Sequence, residues 1–531
     1  MNALAGTGTL VRLALRRDRV MLPAWVAVFV ASAASSASAT VALYPSVQSR
    51  VHASMAINDI PALVALYGRV YDPSSLGAVA MLKLSGFGAA LVAVLAILIV
   101  VRHTRAEEES GRLELLGATV VGRGAALTAA LVVAVGTNLV LGGLTALGLI
   151  GAGLPAAGSI AFGLAWAGVG TAFAAVAAAT AQVTRSARSA TGFASAVLGL
   201  VYLLRAIGDT SGARGPGWLS WLSPIGWGQQ VRPYAGDRWW VLLLPLAFTV
   251  ALAAGAYAGV ARRDLGAGLL ADAPGRAGAG AGLRSPLALA WRLHRAALLG
   301  WGAAFVVLGG VFGTIASNIG GLLDSPQARA FMAKLGGEKG VTDAFLAAEL
   351  GIIGVVASVY GVQAAMRLRT EETAQRVDPL LAAAVGRTRW ALGHITVAFG
   401  GTAALLVVAG LAAGVAHAAR TGDAGQVGRV LAGALVQIPA AWVLSAIVVA
   451  AFGLAPRAVA IGWAALVVFL LLGELGQLLR LRQWVMDLSP FAHVPKLPGD
   501  QLTAAPMLWL LGIAALLTVV GLVGLRRRDI G

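Results

Sequence analysis

The amino-acid sequence predicts an all-α polytopic membrane protein, with twelve transmembrane helices arranged as two parallel six-helix repeats. Three observations support this fold class. Hydrophobic residues make up 58% of the 531 residues and charged residues only 12%, about half the charged share of a typical soluble domain. Twelve stretches are long and apolar enough to cross a bilayer. A polar segment between the second and third stretches recurs between the eighth and ninth.

The composition excludes several classes of protein. The mean hydropathy of +0.82 excludes an ordinary soluble enzyme and a disordered chain. The absence of cysteine excludes disulfides, Cys-ligated zinc, iron–sulfur clusters and thiol catalysis. A net charge of +17 would favour nucleic-acid binding in a soluble domain. Here the basic residues follow the membrane topology, so we expect no nucleic-acid partner.

The predicted spans are apolar on nearly every face, which excludes a set of soluble core helices. We expect the first span to be retained rather than cleaved as a signal peptide, because a matching span follows similar basic residues in the second half. The twelve stretches are residues 22–43, 80–101, 125–150, 158–182, 189–206, 239–260, 297–319, 346–366, 390–416, 430–453, 458–475 and 505–525.

The basic residues predict the orientation in the membrane. If the N-terminus is cytoplasmic and the spans alternate, 25 of the 40 Lys and Arg residues, and +14 of the net charge of +17, lie on the cytoplasmic side. Cytoplasmic loops carry such an excess. The strong preference for Arg over Lys, with heavy Ala and Gly usage, is typical of a GC-rich bacterial genome. We therefore expect a multi-pass protein of the bacterial cell membrane, in contact with the lipid bilayer, with both termini cytoplasmic.

An internal repeat predicts the domain organisation. Residues 105–123 and 369–387 align without a gap, and nine of the nineteen positions are identical. Two Leu-Ser-Pro turns and two Arg-Arg-Asp triplets recur at similar spacing. The predicted domains are a first six-span half at 1–266, a flexible cytoplasmic linker at 267–284 and a second half at 285–531. Six is an even number, so both halves insert the same way round, as in a fused dimer with a pathway at its interface.

The sequence shows no catalytic or metal-binding pattern. The six histidines lack the spacing of a metal site, and we expect no metal. None of the four lysines follows Gly and precedes Ser or Thr, as a P-loop requires. The Asp-rich clusters that hold magnesium and diphosphate in membrane-embedded prenyltransferases are also absent from the sequence. We therefore expect no catalytic residue and no ATP site in this chain.

Two carboxylates keep a second transport mechanism open. Only Glu349 and Glu474 fall within the predicted spans, both near the outer end. Proton-driven transporters place titratable carboxylates inside the membrane, so either residue could serve a proton-coupled secondary drug transporter. The other interpretation is that both are interfacial residues at the headgroups.

The repeated polar segment is predicted to form a short charged helix in each half. Glu108 lies four residues before Arg112, and Glu372 lies four before Arg376, the favourable order for a helical ion pair. A surface helix stabilised by its own ion pairs would explain one such segment. Its duplication favours a docking surface for a partner that has two equivalent binding sites.

The segment resembles the Glu-rich cytoplasmic motif of type-2 ABC-transporter permeases. The whole chain resembles the fused two-half permeases of actinobacterial antibiotic exporters of the tetronasin or polyketide type. In this chain Arg112 stands where the motif usually has Thr, and Gln375 and Pro379 replace Gly and Leu in the second copy. The residues that carry the motif are Glu107, Glu108, Gly111, Arg112, Leu113, Glu114, Gly122 and Arg123, then Glu371, Glu372, Arg376, Val377, Asp378, Gly386 and Arg387.

The resemblance implies a type V ABC exporter fold and a transport function. The chain would be the permease subunit of an ATP-driven exporter of hydrophobic or amphipathic drug-like or antibiotic compounds. Two copies of a separate ABC ATPase subunit would bind ATP and magnesium, and the motif residues would couple them to the permease. This chain would need no cofactor of its own and would not be an enzyme. The departures from the motif leave equal use of the two halves open.

Aromatic residues and Ser-Pro turns mark two long outer loops, at 207–238 and 476–504. We predict that they shape an outer gate. The alternative is a loop-to-helix entry with Pro in the first turn, since Pro cannot continue a helix that precedes it. Residues 10–21 and 287–296 have the pattern of interfacial helices. The predicted gate residues are Trp218, Ser223, Pro224, Trp484, Ser489 and Pro490.

Overall fold

The computed structural model describes residues 3–118, 120–211, 216–270, 278, 280, 283–316, 337–475 and 482–529. All regular secondary structure within these ranges is helical. The chain divides into two compact units, Met1–Pro274 and Gly275–Gly531. The division falls inside the segment predicted as a linker, while the domain boundaries themselves stay a prediction.

The first unit contains six long helices and several short ones. A π-helical turn (Leu84–Gly88) precedes α6, and 3₁₀ turns (Gly217–Leu222 and Trp239–Leu242) precede α12 and α13. The helices are α1 (Thr7–Arg17), α2 (Met21–Leu43), α3 (Val47–Asn58), α4 (Pro61–Tyr67), α5 (Leu76–Lys83), α6 (Ala89–His103), α7 (Arg105–Glu109), α8 (Arg112–Gly117), α9 (Ala125–Gly151), α10 (Ala156–Val183), α11 (Ala187–Thr210), α12 (Pro224–Gln230) and α13 (Leu243–Arg262).

Helix α10 lies at the centre of the first unit and packs against α6, α9 and α13. Small residues allow these helices to approach closely, since a side chain at Gly142 or Gly163 would meet the backbone of the other glycine. Such contacts replace the hydrophobic effect as the source of helix association in a membrane. Trp166 is fully buried, and its indole N–H donates to the Leu84 carbonyl at 3.0 Å.

The second unit repeats this composition of long and short helices. It begins with one long helix, α14, where the first unit has the short helix α1 followed by the long helix α2. The helices are α14 (Pro286–Ala316), α15 (Gly337–Ala365), α16 (Arg367–Thr373), α17 (Asp378–Leu381), α18 (Arg387–Thr421), α19 (Gly425–Leu435), α20 (Ile438–Leu454), α21 (Ile461–Leu475), α22 (Gln483–Met486) and α23 (Ala504–Arg527), with 3₁₀ turns at Pro456–Ala458 and Pro490–His493.

The core of the second unit lies among α15, α18 and α20, and α14 and α23 pack against them. Helices α14 and α18 pack along their length, as do α20 and α23. Glycines again mark the closest approaches, because a side chain at Gly453 would meet the backbone of Gly521, and one at Gly313 would meet that of Ala413. Both units therefore achieve dense packing with small residues.

Eleven helices in the described residues are long and apolar enough to cross a membrane. Each coincides with one of the predicted spans, which confirms an all-α, polytopic membrane fold. The remaining predicted span, 458–475, coincides with α21, which has only 15 residues and ends at the limit of a described range. The count of twelve therefore stays a prediction.

One predicted span boundary needs correction. Helix α11 continues to Thr210 instead of ending near residue 206, so Asp209 lies within a candidate span. At the start of the predicted linker, the backbone N–H groups of Leu269 and Leu270 donate to the carbonyls of Gln182 and Val183 at 3.0 and 3.2 Å. The local hydrogen bonds place residues 267–270 with the first unit.

Candidate functional site

The repeated polar segment folds as two short helices in each unit, not as the single helix predicted. In the first unit α7 and α8 are separated at Gly111, whose φ is +72°. In the second unit α16 and α17 are separated around Gln375, at the aligned position, whose φ is +54°. A left-handed residue ends a right-handed helix. The break is thus kept in the second unit although the glycine is not.

The break changes the partners of both exposed arginines. Arg112 lies 3.3 Å from Glu107 rather than against Glu108. Arg376 lies 3.4 Å from Glu371 rather than against Glu372. The predicted pairing four residues apart is wrong in both units, because the left-handed residue rotates the second helix relative to the first.

Glu108 is buried and accepts hydrogen bonds from two other parts of the first unit. Arg263, directly after α13, donates to both carboxylate oxygens at 2.6 and 2.9 Å. The Gly266 N–H donates at 2.6 Å, and Arg105 forms an ion pair at 3.0 Å. A buried carboxylate is stable only with such partners. Glu108 therefore fixes the polar segment to the end of the last helix.

Glu372 has the same role in the second unit. It is buried and pairs with Arg528 at 2.6 Å and with Arg369 at 3.0 Å. Arg528 directly follows α23, as Arg263 follows α13, and both arginines belong to the repeated Arg-Arg-Asp triplets. We call each set a carboxylate clamp: Glu108 with Arg105, Arg263 and Gly266 in the first unit, and Glu372 with Arg369 and Arg528 in the second.

The Gly-Arg pairs at the end of each polar segment reinforce the clamps. Arg123 donates to the backbone carbonyl of Arg263. Arg387 donates to the backbone carbonyl of Arg528 at 2.6 Å. The same side chain thus holds the same backbone position in both units. The N–H of Gly122 donates to the Ala5 carbonyl at 2.9 Å, so the first pair also fastens the chain before α1.

The remaining motif residues divide into buried and exposed positions. Glu371 and Val377 are buried and Glu107 and Leu113 are half-buried. Four charged side chains are exposed: Arg112, Glu114, Arg376 and Asp378. In α8, Leu115 is 76% exposed. This exposed surface, which we call the charged face, consists of Arg112, Glu114 and Leu115 in the first unit and Arg376, Asp378 and Pro379 in the second.

Helix α8 is loosely packed on the first unit. It has no buried residue, and cavities of about 430 and 270 Å³ lie beside it. Leu113 and Leu116 line both cavities. Helix α8 is therefore less tightly packed than α7, which the clamp holds.

The predicted gate residues lie at helix entries. The Ser223 hydroxyl accepts from the Gly226 N–H at 3.2 Å, and Pro224 occupies the first turn of α12. Ser489 precedes a 3₁₀ turn that begins at Pro490, but its side chain makes no capping hydrogen bond. Both Ser-Pro pairs thus stand at a loop-to-helix entry with Pro in the first turn, which was the alternative to an outer gate. Trp218 and Trp484 are 63% and 64% exposed, and the gating role itself stays a prediction.

The structure adds Asp209 to the two carboxylates predicted within the spans, Glu349 and Glu474. One carboxylate oxygen of Glu349 is buried without a hydrogen-bond partner among the described residues. The side chain of Glu474 lies outside the described part of the chain. Asp209, which the predicted span excluded, is buried, lies 3.4 Å from Arg205 and accepts from the Ser220 hydroxyl at 2.6 Å. Its spacing of four residues from Arg205 was the signal available in the sequence.

No group of three or more potential metal-ligating side chains is found in the residues that the structure describes. The duplicated feature consists instead of buried ion pairs and an exposed charged face at one end of each unit. The long apolar helices and these paired features define the class of protein: a polytopic α-helical membrane protein.

Comparison with known proteins identifies the family. The family model described as "Multidrug efflux system permease Rv1217c, C-terminal domain" matches residues 8–260 and 283–526. The multidrug efflux system permease protein Rv1217c of Mycobacterium tuberculosis (strain ATCC 25618 / H37Rv) is 46% identical over 532 residues, which cover 100% of this chain and 96% of the relative. The chain belongs to the Rv1217c family of multidrug efflux permeases.

Proposed function

We propose that the chain is the permease subunit of an ATP-driven ABC exporter that moves hydrophobic or amphipathic drug-like compounds out of the cell. The observation that carries this proposal is the duplicated clamp, which fixes an exposed charged face to the end of the last helix in both units. Family membership and the name of the Mycobacterium tuberculosis relative support the drug-efflux function.

The charged face is the proposed docking site for the ATPase, one copy on each unit. Its charged positions have the same signs in both units, Arg112 with Glu114 and Arg376 with Asp378. Isolated surface charges contribute little to stability. Stability alone would therefore not keep the same charges at these positions in both units. Leu115 adds an exposed apolar side chain at the centre of the first copy. A partner with a polar rim and an apolar pocket fits this surface.

The clamps are the proposed mechanical link between ATPase and permease. A buried carboxylate with several charged partners resists separation, since removing one partner costs about 3–5 kcal/mol. The polar segment and the end of the last helix would therefore move together when an ATPase pulls on the charged face. ATP and magnesium would bind to the ATPase, and this chain would supply no residue to hydrolysis.

The orientation proposed is that both termini and residues 267–284 are cytoplasmic. The excess of basic residues on one side supports this topology. The contacts of Glu108 and Arg123 support it too, because they bring the polar segment and the end of α13 to the same end of the first unit. An ATPase in the cytoplasm would meet the charged face only in this orientation.

The decisive experiment is reconstitution. The chain is purified with an ABC ATPase from the same genome, placed in lipid nanodiscs, and assayed for vanadate-sensitive ATP hydrolysis stimulated by amphipathic drugs. Drug-stimulated hydrolysis and ATP-dependent transport in vesicles are the expected results. Transport that needs a proton gradient and no ATPase would contradict the proposal and favour the proton-coupled alternative.

A further inference from the structure

A small cavity lies at the end of the first unit opposite the clamp. It has a volume of about 30 Å³ and is lined on its polar side by Arg69, Tyr71, Gln229 and Arg232. Met81 and Phe162 are among its apolar walls. A cavity of this size accommodates about two water-sized groups. It therefore suits the oxygens of a single polar group that is attached to a larger molecule.

Arg232 reaches this cavity without an anionic partner among the described residues. The centre of its guanidinium lies 4.3 Å from the centroid of the Tyr71 ring. Its Nε atom is buried and has no hydrogen-bond partner, and it forms no ion pair with any acidic side chain that the structure describes. A half-buried cation without an anion is unfavourable. Its five N–H donors are arranged to bind a carboxylate or a phosphate.

The neighbouring carboxylates are committed to other groups. Asp209 pairs with Arg205 and accepts from Ser220. Asp237 accepts from the Tyr234 N–H at 2.8 Å. Arg69 adds a second positive charge while donating to backbone carbonyls. The polar side of the cavity therefore carries positive charge that no carboxylate of its own balances.

Tyr71 supplies a neutral donor beside Arg232. Its hydroxyl oxygen accepts from the side-chain amide of Gln230 at 2.9 Å. Burial raises the pKa of Tyr71 to about 12, so the hydroxyl keeps its proton at neutral pH. That proton is free to be donated to an anionic oxygen that lies over the cavity.

The loop that carries Arg232 is strained, and among the described residues only the first unit has such a loop. Arg232, Tyr234 and Asp237 have φ values of +52°, +62° and +32°, a conformation costly for residues other than glycine. Such strain is concentrated at binding sites. In the second unit, the spacing that aligns the two Leu-Ser-Pro turns places Pro498 and Asp500 opposite Arg232 and Tyr234.

We propose that Arg232 and Tyr71 bind the acidic group, a carboxylate or a phosphate, of an amphipathic molecule at this cavity. The molecule is an exported compound or a membrane lipid, and its apolar part extends from the cavity. The inference that it is cargo rests on the proposed efflux function, whereas binding of the acidic group does not.

Binding to the purified chain tests the proposal. The chain, in nanodiscs of phosphatidylcholine, is titrated with dansyl-undecanoic acid and with its uncharged methyl ester, against empty nanodiscs. We expect the acid to bind about tenfold more tightly than the ester, because a charge-assisted hydrogen bond is lost in the ester. Arg232→Gln should remove this difference, and Tyr71→Phe, which keeps the ring, should reduce it.

Arg238→Gln is the matched control, since Arg238 lies in the same loop but does not line the cavity. Equal affinity for acid and ester, or an equal loss in the Arg238 variant, overturns the proposal; thermal unfolding identifies variants that misfold. If added phosphatidylglycerol competes with the acid, the ligand is a lipid phosphate. If it does not compete, the ligand is a soluble acid. The assay contains no ATPase, so a failure here leaves the efflux proposal standing.

Discussion

The two units differ at their first long helix. Arg19, Trp25 and Phe29 align with Arg295, Trp301 and Phe305, which places His294 opposite Asp18. In the first unit the chain enters α2 through a turn at Asp18, whereas in the second unit α14 continues through His294. Asp18 is fully buried and pairs with Arg102 and His103 at 3.0 and 2.6 Å. His294 instead contacts His394 at 3.0 Å. The carboxylate holds the turn against α6, so a single side chain and its partners distinguish a separate α1 from a continuous helix.

The clamps contrast with this divergence, because both units keep them. They are not equal, however. Glu108 has three partners among the described residues, Arg105, Arg263 and the Gly266 N–H. Glu372 has two, Arg369 and Arg528. The comparison indicates that the clamp is the feature that both units share, and that the first unit holds its clamp carboxylate with one more partner.

Removing each clamp carboxylate should have the largest effect on stability. Glu108→Ala leaves the buried Arg105 and the half-buried Arg263 without their anion, which we expect to lower the free energy of unfolding by about 3–5 kcal/mol. Glu372→Ala should lower it by less, because its arginines are more exposed. Thermal unfolding of the purified variants measures both, with exposed Arg112→Ala as control. Equal losses would contradict an unequal pair of clamps.

The clamp also shows how far the sequence could predict the site. Hydropathy located the spans, and the polar repeat located the segments, because both signals are local. The partner of Glu108 is Arg263, 155 residues away, and spacing along one helix predicted Arg112 instead. The repeated Arg-Arg-Asp triplets were the available signal, since two polar motifs that recur together in an apolar chain are candidates for contact.

Other features were beyond reach for physical reasons. Gly111 is a residue that permits a left-handed break, but Gln375 gives no such indication, so the break in the second unit could not be predicted. Asp209 was missed because helix ends are uncertain by a few residues. The strained loop at Arg232 depends on tertiary contacts that hold it, and no residue type in the sequence predicts that conformation.

Substitutions at the break between the two short helices, at Gly111 and Gln375, should have an intermediate effect on stability. A side chain at Gly111 has open space around it, so Gly111→Ala tests backbone strain alone. We expect a loss of about 1–2 kcal/mol in the free energy of unfolding, and a gain of up to the same amount for Gln375→Gly. Denaturation of both variants measures the difference. If both positions need a left-handed residue, the two changes in the free energy of unfolding have opposite signs. Changes of the same sign would contradict this interpretation.

Reversing charge on the charged face should change stability least among the positions of the polar segment, by about 0.5 kcal/mol or less. Arg112→Glu and Arg376→Glu should nevertheless weaken co-purification of the ATPase, and the first more strongly, because Leu115 lies beside it whereas the second unit has Pro379. Retention of the ATPase on an affinity-tagged permease measures this. Wild-type retention in the double variant would show that the ATPase binds elsewhere.

The smallest expected effect is at Glu349, which separates ATP-driven export from the proton-coupled alternative. The spacing that aligns the polar segments pairs Glu349 with Ser85, whose hydroxyl donates to the Leu82 carbonyl at 2.9 Å. The first unit thus has a neutral, hydrogen-bonded side chain where the second has a carboxylate with an unpartnered oxygen.

A carboxylate that carried protons would be indispensable, whereas one that only adjoins the cargo path or the headgroups would not. We therefore expect Glu349→Gln to leave drug export at the wild-type rate and to leave its pH dependence unchanged in vesicles energised with ATP. Loss of export with ATPase assembly intact would instead make the second unit a proton site and overturn the assignment of ATP as the driving force.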